Sequence, residues 1–267
     1  MSKGRYAYKK AEQRFTSWSY SRYRDWSRCP FFAKSKHLDK IPEGTGVNPA
    51  MVRGSAIGAM AEDFVNGKLK RLPDELSIFR DHFAAARKQF SNGNATVEQQ
   101  WCFDEQWQPI THTFPLDSAD NMLWGKFKEA DWTAWRSIWL RVKMDLCGVD
   151  KTANVVRPVD HKTGKYREDD LGSYLEQLEI YSIGGMLQYP DTQGASPQLW
   201  FSDAGVIYPD VNDDDELYYD RSELPRLQKV WEKRVQPMFA DTTFRATPNS
   251  KCQWCPYSSA KGGKCKY

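Results

Sequence analysis

Apolar and polar positions alternate from Leu140 to Leu146, with Leu140, Val142, Met144 and Leu146 on one side and Arg141, Lys143 and Asp145 on the other. That is the period of a half-buried strand. A second run, Val155 to Lys162, is short and β-branched, and predicts the returning strand of a hairpin. A symmetric turn centred between Thr152 and Ala153 sets Asp145 opposite Asp160, with Cβ atoms ~5 Å apart. Asp160 and Lys162 are two residues apart and share a face. Pro158 cannot donate to a ladder, so a bulge or a locally broken pairing is expected there.

The remaining pattern surrounds this hairpin with helices and further strands. A helix is expected from Ser17, carrying Tyr20, Tyr23 and Trp26 and ending near Cys29-Pro30. Asn48-Pro49 reads as an N-cap followed by proline in the first turn of a helix. This helix bears Met51, Ile57, Met60, Ala61, Phe64 and Val65, with Glu62 on a neighbouring stripe. Another helix starts near Pro73-Asp74-Glu75 and stops at the breaker cluster Ser91-Asn92-Gly93-Asn94. Thr96 to Trp107 alternates as a strand, with Val97, Gln99, Trp101 and Phe103 on one face, and Pro109 to Trp135 reads as irregular with a short hairpin. Asp169 to Gln188 is amphipathic, repeating Leu171, Tyr174, Leu175, Leu178 and Tyr181 at helical spacing. Gln198 to Tyr208 supplies one or two strands around Asp203-Ala204-Gly205, and Glu216 to Tyr219 another. Ser222 is placed to cap a last helix with Leu224, Leu227, Val230, Trp231, Val235 and Met238. Helices, a meander, a helix and edge strands together give an α/β fold with a mixed central sheet flanked by helices. We read one domain, 1–267: a basic arm (1–16), an N-terminal helical segment (17–45), a core (46–240) and a cysteine-rich segment (241–267).

Composition narrows the function classes. The 267 residues hold 27% charged and 14% aromatic residues with a net charge of +3, so binding to a polyanion must come from local patches. No 18-residue apolar run and no apolar N-terminal segment exist, which argues against a membrane span and a secretory signal. Six cysteines in a chain this long, three of them crowded near the end, do not read as a secreted disulfide framework, and a reducing cytoplasm is expected.

Taken singly, the chemistry-bearing residues have plain readings. Asp-x-Lys is ordinary in an exposed hairpin, and only a carboxylate at the cross-strand position makes it a cation site of hard oxygen ligands. Glu62 alone reads as the solvated side of a helix, Gln177 and Tyr181 as structural, and Lys251, Lys261, Lys264 and Lys266 as a solvated terminal run. Trp132, Trp135 and Trp139 read as packing, with stacking on single strands as their other use. Cys252-x-x-Cys255 beside Pro256 is a metal-binding turn that needs two more ligands. Cys265 and Cys29 are the candidates, whereas Cys102 and Cys147 fall in strand patterns and read as buried packing residues. All-thiolate sites suit zinc or a four-iron–four-sulfur cluster.

The set Asp145, Asp160 and Lys162, worded Asp160-His161-Lys162-Thr163-Gly164, resembles the active site of the PD-(D/E)XK nuclease superfamily, closest to its RecB-like branch. That branch includes the CRISPR-associated RecB-like exonucleases and the AddB-type helicase-nucleases. Arg53-Gly54 followed by Glu62 resembles its upstream helix motif, and Gln177-Leu-Glu-Ile-Tyr181 the Gln…Tyr motif on the following helix. Cys29-Pro30 with Cys252, Cys255 and Cys265 resembles the iron–sulfur staple of the cluster-bearing members. The family pattern has histidine where this chain has Gly58 and glycine where it has Val142.

The resemblance implies a restriction-endonuclease-like core whose termini are joined by a cysteine metal or cluster site. It implies Mg²⁺ or Mn²⁺ held by Glu62, Asp145, Asp160 and the His161 carbonyl, Lys162 as the electrostatic donor, and Gln177 and Tyr181 positioning water or backbone. The expected activity is a metal-dependent DNA exonuclease acting on ends in replication, recombination or repair, in a bacterial cell or a phage-infected host. A structure-specific or nicking endonuclease of the same fold is the alternative, and a non-catalytic DNA-binding subunit the more distant one. DNA is the expected partner, with no membrane. Self-association and a phage recombination or replication partner stay open.

Overall fold

The computed structural model describes residues 14–43, 49–116, 122–209 and 217–267. In chain order the helices and strands are α1 Tyr20–Arg28, α2 Pro30–Ala33, α3 Pro49–Val65, α4 Arg80–Ser91, β1 Ala95–Val97, β2 Gln100–Phe103, α5 Glu129–Ser137, β3 Leu140–Lys143 and β4 Leu146–Asp150. There follow β5 Val155–Lys162, α6 Leu171–Gln188, β6 Gly194–Ala195, β7 Gln198–Phe201, β8 Val206–Tyr208, β9 Tyr219–Asp220 and α7 Leu224–Ala240. The chain divides into two compact units, one of residues 1–46 with 231–267 and one of residues 47–230.

In the first unit, α1 begins at Ser19, whose hydroxyl accepts from Arg22 N, and its aromatic face meets Trp231. Trp18 stacks on Trp231 at 5.5 Å, and Tyr23 approaches it edge-on at 5.2 Å. Most of the expected basic arm (1–16) cannot be compared with the described residues. Residues 1–13 lie outside the described residues, but Phe15 is buried against His37 and Phe244.

The second unit is built on a seven-stranded mixed sheet with β5 at its centre. β5 pairs antiparallel with β4 on one edge and parallel with β6 and then β7 on the other. The hairpin has the expected register, from Leu146↔Val159 to Asp150↔Val155. No bulge interrupts it at Pro158, which faces Cys147 in an unbroken ladder. The interruption lies on the other edge, where β6 pairs with Val155 and Val156 and β7 takes over from Val159. The backbone of Val156 and Lys162 accepts from that edge, so the donor missing at Pro158 falls in the gap between two neighbours.

The alternating run at 140–146 is two strands, not one, because the chain breaks at Met144-Asp145. The run at 96–107 breaks likewise at Glu98-Gln99. β1 pairs with β4 through Val97↔Leu146 and β2 with β3 through Gln100↔Lys143, so both pairs keep one register across the break. That register sets Glu98 opposite Asp145, and Glu98 N donates to Asp145 O at 3.0 Å. Glu98 adopts a left-handed φ of 49°.

Three further expectations change. Pro109 to Trp135 is not wholly irregular: Glu129–Ser137 is helical, started by Asp131, whose carboxylate accepts from Lys128 N at 2.6 Å. Ser222 lies inside a 3-10 turn, Arg221–Glu223, that leads into α7; the turn is capped by Asp220, which accepts from Ser222 N and from the Ser222 hydroxyl. The strand before it is Tyr219–Asp220; Glu216, like the expected N-cap Asn48, lies outside the described residues.

One face of the sheet carries α3 and α4 over a core of Ile57, Phe64, Leu76, Phe83, Leu146, Val159 and Trp200, whereas Met51 on the same helix is 63% exposed. α6 packs closely on β3 and β5 because Gly184 and Gly185 lack side chains. A Cβ at either would stand 3.1 Å from Val142 or Val156. This close approach fixes the position of Tyr181 one turn earlier and Gln177 two turns earlier on α6.

Candidate active site

Asp160 sits at the middle of the site, 6% exposed, on the central strand. Its Oδ1 accepts from the Tyr181 hydroxyl at 2.8 Å and from Gln177 Nε2 at 3.1 Å. Gln177 Nε2 also reaches the Tyr181 oxygen at 2.7 Å, and Gln177 Oε1 accepts from Lys162 Nζ at 3.3 Å. Gln177 and Tyr181 are four apart on α6, so one helix face delivers both. Lys162, two residues along the strand, places Nζ 2.5 Å from Asp160 Oδ2. Oδ2 nevertheless accepts no hydrogen bond of regular geometry, leaving one buried carboxylate oxygen electrostatically compensated but undirected.

Asp145 occupies the break between β3 and β4, where the chain is freed to turn its carboxylate onto β5. Its Oδ2 accepts from His161 N at 2.7 Å. Burial, and after it the charge of Asp160, pushes this carboxyl from 3.8 up to about 8, with the His161 N–H opposing the rise. Burial and then the Asp160 charge also hold the Tyr181 phenol well above its ordinary range, so it stays a proton donor. The N–H and C=O of one strand residue face the same edge, so the His161 carbonyl points to the Asp145 side. The His161 ring turns the other way, its Nε2 2.7 Å from the Ser202 hydroxyl, and burial lowers its pKa.

Glu62 comes to the same place from α3. It lines a small cavity of about 20 Å³ together with Glu98, Asp145 and His161. Two contacts set the pose of α3. Arg53 makes a paired interaction with Asp203 in the β7–β8 turn, both N–O distances 2.8 Å, which holds the Asp203 carboxyl below its usual range. Gly54 lets the helix reach the loop after Lys162, since a Cβ there would lie 3.1 Å from Thr163 Oγ1. Gly58, one turn before Glu62, also lines the cavity, and nothing lies within 4 Å of where its Cβ would be.

Sequence reasoning missed Glu98, which pairs with Lys143 and adds to the field that raises Asp145. Its signal is the register: extending either ladder by one residue puts Glu98 opposite Asp145, which unbroken alternation along the run conceals. Among the described residues, no three His, Cys, Asp or Glu side chains are already drawn together tightly enough to hold a metal ion.

In the first unit, Cys29, Cys252, Cys255 and Cys265 line one cavity of about 230 Å³, and all are free thiols. Thr247 N donates to Cys29 Sγ at 3.5 Å and Asn249 N to Cys252 Sγ at 3.3 Å. Burial, ahead of the charges of the other three sulfurs, raises the Cys255 thiol. Cys102 and Cys147 are buried elsewhere, and burial raises both thiols.

A family model described as the PD-(D/E)XK nuclease superfamily matches residues 17–260. No curated protein matches the chain. Among the described residues no helix is long and apolar enough to cross a membrane.

Proposed function

The chain belongs to the PD-(D/E)XK nuclease superfamily, and from that premise we propose that it is a metal-dependent deoxyribonuclease acting exonucleolytically on DNA ends. The observation that carries the reading is the cation-deficient carboxylate pair. Asp145 is driven toward its protonated form by burial and by Asp160, while Asp160 keeps a buried oxygen without a directed partner. A hard divalent cation relieves both penalties. The donor types suit one: Asp145 in the β3–β4 break, Asp160 and the His161 carbonyl on β5, and Glu62 on α3 all offer hard oxygen atoms. When bound, Mg²⁺ or Mn²⁺ supplies acidification of the attacking water and screening of the charge that builds on phosphate.

The chain's own residues do the rest. Lys162 is held by Gln177 and beside Asp160, so its ammonium is preset as a donor to phosphate oxygen as negative charge develops. Tyr181 and Gln177 fix the rotamer of Asp160, and Asp160 cannot swing away without breaking two hydrogen bonds. We further propose that the four cysteines of the first unit hold a four-iron–four-sulfur cluster. Two backbone N–H groups already point at sulfur, which favours thiolates, and the resemblance to the cluster-bearing members favours iron–sulfur over zinc.

The test of activity is digestion of 5′- and 3′-labelled linear DNA and of closed circles with Mg²⁺ or Mn²⁺. Degradation of the linear forms alone is expected. Rapid cutting of intact circles transfers the assignment to an endonuclease, and no cleavage of any form ends the reading.

A further inference from the structure

We infer that the groove running from Glu62 to Phe114, together with the tryptophan cluster that Phe114 touches, binds single-stranded DNA, with Arg141 taking a backbone phosphate and Trp124 stacking on a base. The inference deepens the nuclease reading and rests on it for the choice of nucleic acid.

The groove has a volume of about 880 Å³ and lies within the second unit. Glu62, Glu98 and Lys143 line its catalytic end, and Arg141 and Phe114 line it further along. Its length thus joins Glu62, the candidate metal ligand on α3, to a surface that the catalytic cluster does not use. That volume is at the upper end of the ~300–1,000 Å³ usual for ligand pockets, large for a small metabolite's site and open enough for a segment of chain.

Two independent features select the occupant. The first is Arg141. Its guanidinium stacks 4.1 Å over Trp135, its Nε is buried with no hydrogen-bond partner, and no carboxylate among the described residues pairs with it. A partly buried cation without a counter-ion is costly to keep unless an anion arrives. The second is the aromatic cluster reached through Phe114, which stacks on Phe127 at 5.8 Å and meets Trp135 edge-on at 5.5 Å. Trp124 is 47% exposed and is backed by Trp132, stacked at 6.0 Å and 21°, and by Phe127 and Trp135 at 5.0 and 4.9 Å. A tryptophan braced on three sides with one face in water is a fixed platform rather than a core residue. Exposed Lys126 and Lys128 follow it closely in sequence, and the guanidinium of Arg136, which also pairs with the exposed Glu129, lies 5.9 Å from the centre of the Trp132 ring. Fixed aromatic faces interleaved with cations suit unpaired bases on a phosphate chain, because a duplex hides its base faces.

Trp139, the third member of the sequence series, is 8% exposed and packs on Trp107 at 5.0 Å, so it belongs to the core. The platform is instead Trp124, which the helical spacing of the series could not reveal.

The test reads binding apart from cleavage. Fluorescence anisotropy with 5′-labelled oligo(dT) and with a blunt duplex, both in EDTA, compares wild type, Trp124→Ala, Trp124→Phe and Arg141→Gln. Trp124→Ala should weaken single-strand binding by ~5-fold or more and duplex binding less, and Trp124→Phe should recover most of the loss. Arg141→Gln should flatten the salt dependence of single-strand binding by ~0.7 in log–log slope, the value for one phosphate. Unchanged single-strand affinity in Trp124→Ala, or equal losses on both DNA forms, overturns the inference. Because no metal is present, these outcomes stand whether or not the wild type cleaves DNA. Failure of the nuclease reading shows only in the digestion assay.

Discussion

Raising the pH should destabilise the metal-free protein, and a divalent cation should cancel most of that loss. Asp145 ionises at about 8 in the folded protein because burial and the neighbouring Asp160 charge oppose its ionised form. In the unfolded chain the same carboxyl ionises near ~4. Between these values the folded state holds a proton that the unfolded state has released, so stability falls as pH rises through the window. Below the lower value both states are protonated and this contribution vanishes. One group changes stability by at most ~1.4 kcal/mol per pH unit. Asp145 keeps some exposure to solvent, and screening reduces the figure to ~0.5–1 kcal/mol per unit. From about pH 5.5 to about pH 7.5 the loss is then ~1–2 kcal/mol, or ~2–8 °C in Tm for a chain of this size. Differential scanning fluorimetry in EDTA reads the slope directly. Asp145→Asn should flatten it, and Mg²⁺ or Mn²⁺ should raise Tm more at the higher pH. An unaltered slope in Asp145→Asn, or an equal metal-induced shift at both pH values, would refute the argument that burial and Asp160 strain this carboxylate.

The other expectations are more direct. Asp145→Ala, Asp160→Ala and Lys162→Ala should each reduce cleavage by ~10²-fold or more while DNA binding persists, since phosphate contacts elsewhere supply affinity; full activity in Asp160→Ala would remove the assignment. Gly54→Leu should push α3 off Thr163, cost ~1–3 kcal/mol and slow cleavage by displacing Glu62, checked by denaturation and kcat together. Glu98→Gln should lower the Asp145 pKa and shift the pH profile of metal binding toward acid, because one like charge is removed; an unmoved profile argues against Glu98 facing Asp145. Protein purified without oxygen should be brown, with Cys29→Ser, Cys252→Ser, Cys255→Ser and Cys265→Ser bleached and Cys102→Ser and Cys147→Ser coloured. A colourless protein with one zinc would replace the cluster.

Local pattern determined a large part of this protein. Strict alternation and a β-branched return run placed the β4–β5 hairpin and its register, because period two and a symmetric turn leave little freedom. Helical spacing placed Gln177 and Tyr181 on one face of α6, and the order of short motifs identified the family. Tertiary structure decided what periodicity cannot encode. The breaks at Asp145 and Glu98 preserve alternation while redirecting the backbone, so the sequence reads through them as continuous strand. Pro158 is harmless because its missing donor meets a gap between two parallel neighbours, a property of strands far along the chain. Asp131 starts a helix that its tryptophan-rich sequence conceals, by accepting from Lys128 N while holding His112 at 2.7 Å from residues away. The shift of Asp145 likewise follows from burial and from a charge on the neighbouring strand, against an opposing N–H on the next residue of that strand. Burial and through-space charge belong to the assembled sheet, and no single stretch of the chain contains them.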